Sequence, residues 1–163
     1  MSLYLQAETF FLILIAAFLS MIVGLDRERN EHPAGLRTHM LVGIGSCLFT
    51  ILSIHAFPGG DPGRVASQIL PGMGFLGAGA ILKQRFDIRG LTTAASLWST
   101  AAVGMAVGTG AWLIALGVTM VIWVVLAVIR KLEYSQLETK GRPEKTERTG
   151  DNPVGQYPPR SNE

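Results

Sequence analysis

The stretch TFFLILIAAFLSMIVGL, residues 9–25, contains no charged side chain and decides the fold class. An apolar helix needs about 20 residues, with a range of about 17 to 25, to cross roughly 30 Å of hydrocarbon. The stretch is not typical of a cleaved signal peptide, because such peptides begin with a basic segment and residues 1–8 contain no lysine or arginine. We therefore expect it to form a first transmembrane helix.

Further along the chain, four more apolar stretches are long enough to form spans. They are residues 41–57, 65–82, 91–107 and 111–129. The third is the weakest, because it contains Ser67, Gln68 and Pro71, and a re-entrant segment is the alternative there. The sequence thus predicts an all-α polytopic membrane bundle of five transmembrane helices over residues 1–134.

The composition agrees with this class. Of the 163 residues, 48% are hydrophobic and only 16% are charged, against about 25% charged in a typical soluble domain. Residues 135–163 hold few large apolar side chains, so we expect a disordered polar cytoplasmic tail there. The single cysteine excludes an internal disulfide. A net charge of +2 without a basic face argues against a nucleic-acid partner.

Basic residues in the loops predict the orientation of the bundle. With five spans, all of the 14 lysine and arginine residues except Arg64 fall on one side. Basic loops stay in the cytoplasm. We therefore expect the N-terminus to lie outside and the C-terminus in the cytoplasm.

Charged side chains gather at the cytoplasmic ends of these spans. They comprise Asp26, Arg27, Glu28, Arg37, Asp87 and Arg89. Charges at such positions fix topology and extend towards the interface. The alternative is a functional cluster in which the two aspartates pair with Arg37 and Arg89 under the bundle.

The fourth span carries a stripe of hydroxyl side chains. At 100° per residue they fall within an arc of about 120°, opposite Trp98 and Ala101. Such a stripe faces the protein interior, where it either bonds neighbouring helices or lines a polar path. Its members are Thr92, Thr93, Ser96, Ser99 and Thr100.

Four glycines in the third span have the spacing G-x-G-x-x-G. They are Gly72, Gly74, Gly77 and Gly79. A dinucleotide site would need a preceding strand and an acidic residue about 20 positions later, and Asp87 comes too early. On a helix they form two small faces for close helix packing. An unwound segment whose carbonyls line a site is the alternative.

Several motifs resemble the MgtC/SapB family of bacterial membrane proteins and cover about residues 5 to 130 in order. The motifs are Gly24-Leu-Asp26-Arg27-Glu28-Arg29, Pro33-Ala-Gly-Leu-Arg37-Thr38, Gly74-Phe-Leu-Gly-Ala-Gly79, and Arg89-Gly-Leu-Thr-Thr-Ala-Ala95 with Trp98. The second of these motifs adds Thr38 to the charged cluster.

This resemblance implies a multi-pass protein of the bacterial inner (plasma) membrane. The family's founding member supports growth at low magnesium and survival inside macrophages. It is thought to act by restraining the F-type ATP synthase, and it is not established as a magnesium transporter. It also carries a folded cytosolic C-terminal domain, whereas the resemblance here covers the membrane domain.

Two functions follow as hypotheses. The first is a non-enzymatic regulator linked to magnesium limitation and membrane energetics. Its expected partners are the lipid bilayer, membrane proteins such as the F-type ATP synthase, and further copies of the chain. The second is a transporter or channel for Mg²⁺ or another cation, although the spans lack the carboxylates that usually bind it. No catalytic residue and no cofactor are expected, apart from Mg²⁺ as a candidate ion, because no buried acid or base activates the hydroxyls.

Overall fold

The structure is a computed structural model that describes residues 3–57, 59–84 and 87–129. Five helices follow the order of the predicted spans, which confirms a helical bundle. A 3-10 helix precedes α3, a π-helix follows α5, and two antiparallel strands, which were not predicted, join α3 to α4. The elements are α1 Leu3–Arg29, α2 Leu36–His55, the 3-10 helix Ala66–Gln68, α3 Ile69–Ala80, β1 Leu82–Gln84, β2 Asp87–Arg89, α4 Leu91–Gly108, α5 Trp112–Val124 and the π-helix Val125–Ile129.

Two of these helices are long and apolar enough to cross a membrane by length and composition, α1 and α2. At 1.5 Å per residue, the 27 residues of α1 extend about 40 Å and the 20 residues of α2 about 30 Å. Helix α1 thus extends beyond the predicted span 9–25 at both ends. The predicted tail, residues 135–163, lies outside the described residues.

Helix α3 is shorter than the predicted span 65–82. Its 12 residues extend only about 18 Å, because the chain forms the 3-10 helix before Ile69 and becomes extended at Ile81. At one end, the backbone N–H of Ala66 donates to Ser53 Oγ (3.3 Å) near the end of α2. At the other, the carbonyl of Ala80 lies against Gly90, where a Cβ would collide with it. The segment thus joins opposite ends of the bundle.

The centre of the bundle is formed by α1, α2 and α4, which approach one another through small residues. A Cβ on Gly24 of α1 would lie 2.8 Å from the Cα of Leu36 in α2. A Cβ on Gly108 of α4 would lie 2.7 Å from the carbonyl oxygen of Cys47 in α2. A Cβ on Gly43 would likewise collide with Ser20 of α1, and a Cβ on Gly104 with the backbone of Gly43 in α2. Close approach of this kind stabilises helix pairs in lipid, where no hydrophobic force drives them together.

The surface and the interior are inverted relative to a soluble domain, where polar residues lie mostly outside. Large apolar side chains face outward, among them Leu41 at 70% exposure and Leu113 at 65%. With the apolar helices, this distribution indicates a membrane protein. The buried polar residues are Ser20, Arg27, His39, Ser46, Thr50, Ser53, Thr93, Ser96, Thr100 and Thr119.

Candidate functional site

Arg27 lies inside the bundle although it belongs to the last turn of α1. Only 2% of its surface is exposed, and one guanidinium N–H donates to Thr93 Oγ1 of α4 at 3.1 Å. A buried charge loses several kcal/mol of hydration unless hydrogen bonds compensate for it. The partial negative charge at the end of α1 adds about 0.3 to 1 kcal/mol in favour of a cation there. The helix end and α4 together thus stabilise this charge.

His39 of α2 is fully buried beside the same part of α4. Its Nδ1 lies 2.8 Å from the carbonyl oxygen of Gly35, and its Nε2 lies 3.1 Å from Ser96 Oγ. A carbonyl oxygen only accepts, so Nδ1 carries a proton and donates it. The residues Arg27, His39, Thr93 and Ser96 thus form one buried arginine–histidine cluster, which joins α1 and α2 to α4.

The Ser96 hydroxyl has two partners for a single proton. Its oxygen also lies 2.8 Å from the carbonyl oxygen of Thr93. With a neutral His39 ring protonated on Nδ1, Ser96 donates to Nε2. With both ring nitrogens protonated, Nε2 donates to Ser96, and Ser96 donates to the Thr93 carbonyl. The cluster therefore links the protonation of His39 to the direction of the Ser96 hydroxyl.

The predicted hydroxyl stripe of α4 is buried in part. Thr93, Ser96 and Thr100 are buried, whereas Thr92 is exposed. Ser99 is half-buried and donates to the carbonyl oxygen of Ala95 within its own helix, at 2.9 Å. Thr100 donates likewise to the carbonyl of Ser96 (2.8 Å). The buried face of α4 is thus turned around the helix relative to the predicted arc: it leaves out Thr92 and includes Ala101, which was predicted to lie opposite the stripe.

Glu28, a member of the predicted charged cluster, bonds to the beginning of α2. Its Oε2 accepts a hydrogen bond from the backbone N–H of Leu36, the first residue of that helix, at 2.9 Å. This contact requires glycine at position 35, because a Cβ there would collide with the same carboxylate oxygen. A carboxylate at a helix N-terminus satisfies an otherwise free N–H and favours the helix dipole.

The other members of that cluster lie around the same end of the bundle. Asp26 is half-buried and accepts a hydrogen bond from the Asn30 side chain. Arg37 and Thr38 are exposed in the first turn of α2, and Arg89 is exposed at the end of β2. The backbone of Asp87 pairs with Gln84 in the hairpin, while its side chain lies outside the described part. The expected pairing of aspartates with Arg37 and Arg89 stays a prediction.

The glycines of α3 differ in their surroundings. A Cβ on Gly77 would lie 3.5 Å from the Cβ of Ala94 in α4, so this position packs between helices. A Cβ on Gly72, Gly74 or Gly79 would meet no described atom within 4 Å. Among the described residues, α3 thus packs closely through Gly77 alone of these four glycines, and the predicted close packing on both small faces is not observed.

Sequence reasoning missed the burial of His39 and the glycines that bring α1, α2 and α4 together. His39 gave no signal, because a histidine at the end of a span is typical of an interface. The expectation that no buried base lies beside the hydroxyls of α4 was therefore wrong, since His39 contacts Ser96. The glycines did give one: small residues recur every fourth position in Ala16, Ser20 and Gly24, and again in Thr100, Gly104 and Gly108.

Within the described ranges, no group of three or more His, Cys, Asp or Glu residues is placed to hold a metal ion.

The sequence model of the MgtC family matches residues 13–135. YhiD of Escherichia coli strain K12, whose name refers to magnesium transport, is 40% identical over 136 residues, 78% of this chain and 63% of that protein. Protein MgtC of Salmonella typhimurium strain LT2 is 42% identical over 110 residues, 68% of this chain and 47% of that protein. Protein MgtC of Brucella abortus strain 2308 is 44% identical over 117 residues, 72% of this chain and 49% of that protein.

The match thus spans between 47% and 63% of the length of these relatives. No solved structure matches the chain significantly.

Proposed function

This chain belongs to the MgtC family, and from that membership we propose that it is a five-span protein of the bacterial inner membrane that regulates magnesium homeostasis and membrane energetics. It acts through contacts with other membrane proteins, with the F-type ATP synthase as a candidate partner, and catalyses no reaction. Its N-terminus lies outside and its C-terminus in the cytoplasm.

The buried arginine–histidine cluster carries this proposal. Arg27 and His39 bind Thr93 and Ser96, so two hydrogen bonds fix α4 against α1 and α2 at one end of the bundle. Regulation by contact needs such a rigid arrangement, because a partner recognises a surface only when its helices keep their relative positions. The buried polar groups then act as interhelical bonds in the membrane.

The guanidinium also argues against passage of Mg²⁺ along this interior. Two like unit charges 4 Å apart repel by about 4 kcal/mol at an effective dielectric constant of 20, and a divalent ion doubles that repulsion. Arg27 lies at the end of the buried hydroxyls of α4, where an ion on that route would pass it.

Transport is nevertheless the second candidate, and one observation favours it. The hydroxyl of Ser20 in α1 is fully buried and has no hydrogen-bond partner among the described residues. A buried polar group without a partner is costly, and an ion or water passing through the bundle would bind it. The name of the relative from Escherichia coli K12 points to the same function.

Two measurements on one set of variants separate the candidates. The first is growth of a deletion strain at low magnesium, scored beside the amount of protein in the membrane. The second is Mg²⁺ flux into proteoliposomes that contain only this protein. The variants are Arg27→Gln and, as a matched control, Arg29→Gln, which removes an exposed charge from the same turn.

We expect the wild type and Arg29→Gln to restore growth without flux. We expect Arg27→Gln to accumulate in the membrane and fail to restore growth. Flux by the wild type that Ser20→Ala reduces would overturn the regulator and establish the transporter.

A further inference from the structure

A lateral groove of about 560 Å³ lies between α2 and α3. The α2 wall includes Leu41 and Phe49, which are 70% and 52% exposed. The α3 wall includes Met73 and Leu76. In a membrane this groove opens towards the acyl chains of the lipids.

Two glycines leave this groove open. Gly45 of α2 and Gly72 of α3 both line it, and a Cβ on either would meet no described atom within 4 Å. Side chains at these positions would occupy space that an elongated apolar molecule can take instead. Filling that space restores the dispersion contacts that bare walls lack.

The groove extends along more than half of the height of α2. From Thr38 to Phe49, α2 rises about 16 Å at 1.5 Å per residue, out of about 30 Å for the whole helix. Val65 and Gln68 line both this groove and a second cavity of about 480 Å³ beside Phe57. The groove therefore continues into a mouth at the end of α2.

The mouth carries charges of both signs. Asp61 and Arg64 line it, and both side chains are exposed. Its backbone is held to α2 by Ser53, whose hydroxyl donates to the carbonyl of Pro62 (2.6 Å) and accepts from the N–H of Val65 (3.1 Å). An anion and a cation are thus presented side by side above an apolar groove.

We propose that this groove binds one phospholipid with a zwitterionic ethanolamine headgroup. One acyl chain lies between the walls of α2 and α3, Arg64 binds the phosphate, and Asp61 binds the ammonium group. Guanidinium and phosphate form strong charge-assisted hydrogen bonds. The proposal rests on the membrane placement above, in which this mouth faces the outer side, and on no regulatory activity.

Native mass spectrometry of the purified, delipidated full chain tests this proposal. Dioleoyl phosphatidylethanolamine and dioleoyl phosphatidylglycerol are added back at equal concentration, and bound lipid is counted per protein. Gly45→Leu and Gly72→Leu fill the groove from its two walls. Gly74→Leu is the matched control, because its Cβ position is also open but does not line the groove.

We expect the wild type and Gly74→Leu to bind the ethanolamine lipid, and both groove-filling variants to lose it by at least about tenfold, the loss that 1.4 kcal/mol produces. Arg64→Gln should weaken binding of both lipids. Asp61→Asn should abolish only the preference for ethanolamine over glycerol.

Equal lipid binding by Gly72→Leu and Gly74→Leu would overturn the assignment of this groove as the lipid-binding site. An unchanged preference in Asp61→Asn would overturn the headgroup assignment. A lipid-free wild-type dimer that Gly72→Leu dissociates would show that a second copy fills the groove, which also overturns the proposal. Because lipid is counted on purified protein, none of these outcomes depends on growth at low magnesium.

Discussion

The hydrogen bond between Arg27 and Thr93 should be measurable as a coupling energy. We consider Arg27→Met, Thr93→Val and the double variant, which remove the charge, the hydroxyl, and both. Thr93→Val preserves shape but leaves a buried guanidinium N–H without its acceptor, at about 1 to 3 kcal/mol. Arg27→Met also removes the other contacts of the guanidinium, and the double-mutant cycle cancels them.

The magnitude follows from the burial and charge of the pair. Interhelical hydrogen bonds in a membrane protein average about 0.6 kcal/mol and reach about 1.7, and an ionised donor roughly doubles a neutral bond. With Arg27 at 2% exposure and Thr93 at 1%, we expect a coupling energy of about 1 to 1.5 kcal/mol.

Reversible unfolding in mixed micelles, with rising denaturing detergent, gives the four free energies of unfolding. A matched cycle uses Arg29→Met in place of Arg27→Met, since Arg29 is exposed, and should give a coupling energy near zero. A coupling energy for Arg27 and Thr93 indistinguishable from that control would refute the buried bond and the cluster built on it.

Three further predictions concern packing, capping and topology. Gly108→Ala should lower the free energy of unfolding by about 1 to 3 kcal/mol through overpacking against α2. Its control is Gly117→Ala, whose Cβ meets nothing within 4 Å and which should raise the free energy of unfolding by up to about 1 kcal/mol. Equal effects of the two substitutions would contradict the close approach of α4 to α2 at Gly108. Glu28→Ala should destabilise the fold by about 0.5 to 2 kcal/mol, measured in the same assay, and an unchanged free energy of unfolding would show that this carboxylate does not stabilise the start of α2. In a background without the native cysteine, a cysteine at position 60 should react with an impermeant maleimide in intact cells, and one at position 161 should not. Reaction at position 161 would contradict the predicted orientation.

The number of helices could be predicted from the sequence, because apolar runs separated by charged loops determine them. Their ends could not, since α1 continues through charged residues as far as Arg29, and hydropathy registers only the apolar middle. The antiparallel pair of strands, Leu82–Gln84 and Asp87–Arg89, was missed, because strands of three residues are too short for an alternating pattern.

For the site, the sequence placed Arg27, Thr93 and Ser96 among the candidates but on separate lists. Their meeting depends on how α1 crosses α4, which no local pattern encodes. Helical periodicity identified the two small faces of α3, yet which glycine packs against a neighbour, here Gly77, is decided by the position of α4. The same limit applies to His39, because burial at the end of a span depends on what packs over it.

The carboxylate of Glu28 on the N–H of Leu36 has a consequence for the order of assembly. This bond and the approach of Gly24 to Leu36 join residues 8 and 12 positions apart. Contacts so close in sequence form early, and both helices leave the ribosome before α4 is made. A hairpin of α1 and α2 can thus enter the bilayer with Arg27 and His39 not yet bonded to α4. Insertion of α4 then brings Thr93 and Ser96 to these two residues, so the buried guanidinium and imidazole gain their hydrogen bonds to α4 in the step that completes the bundle.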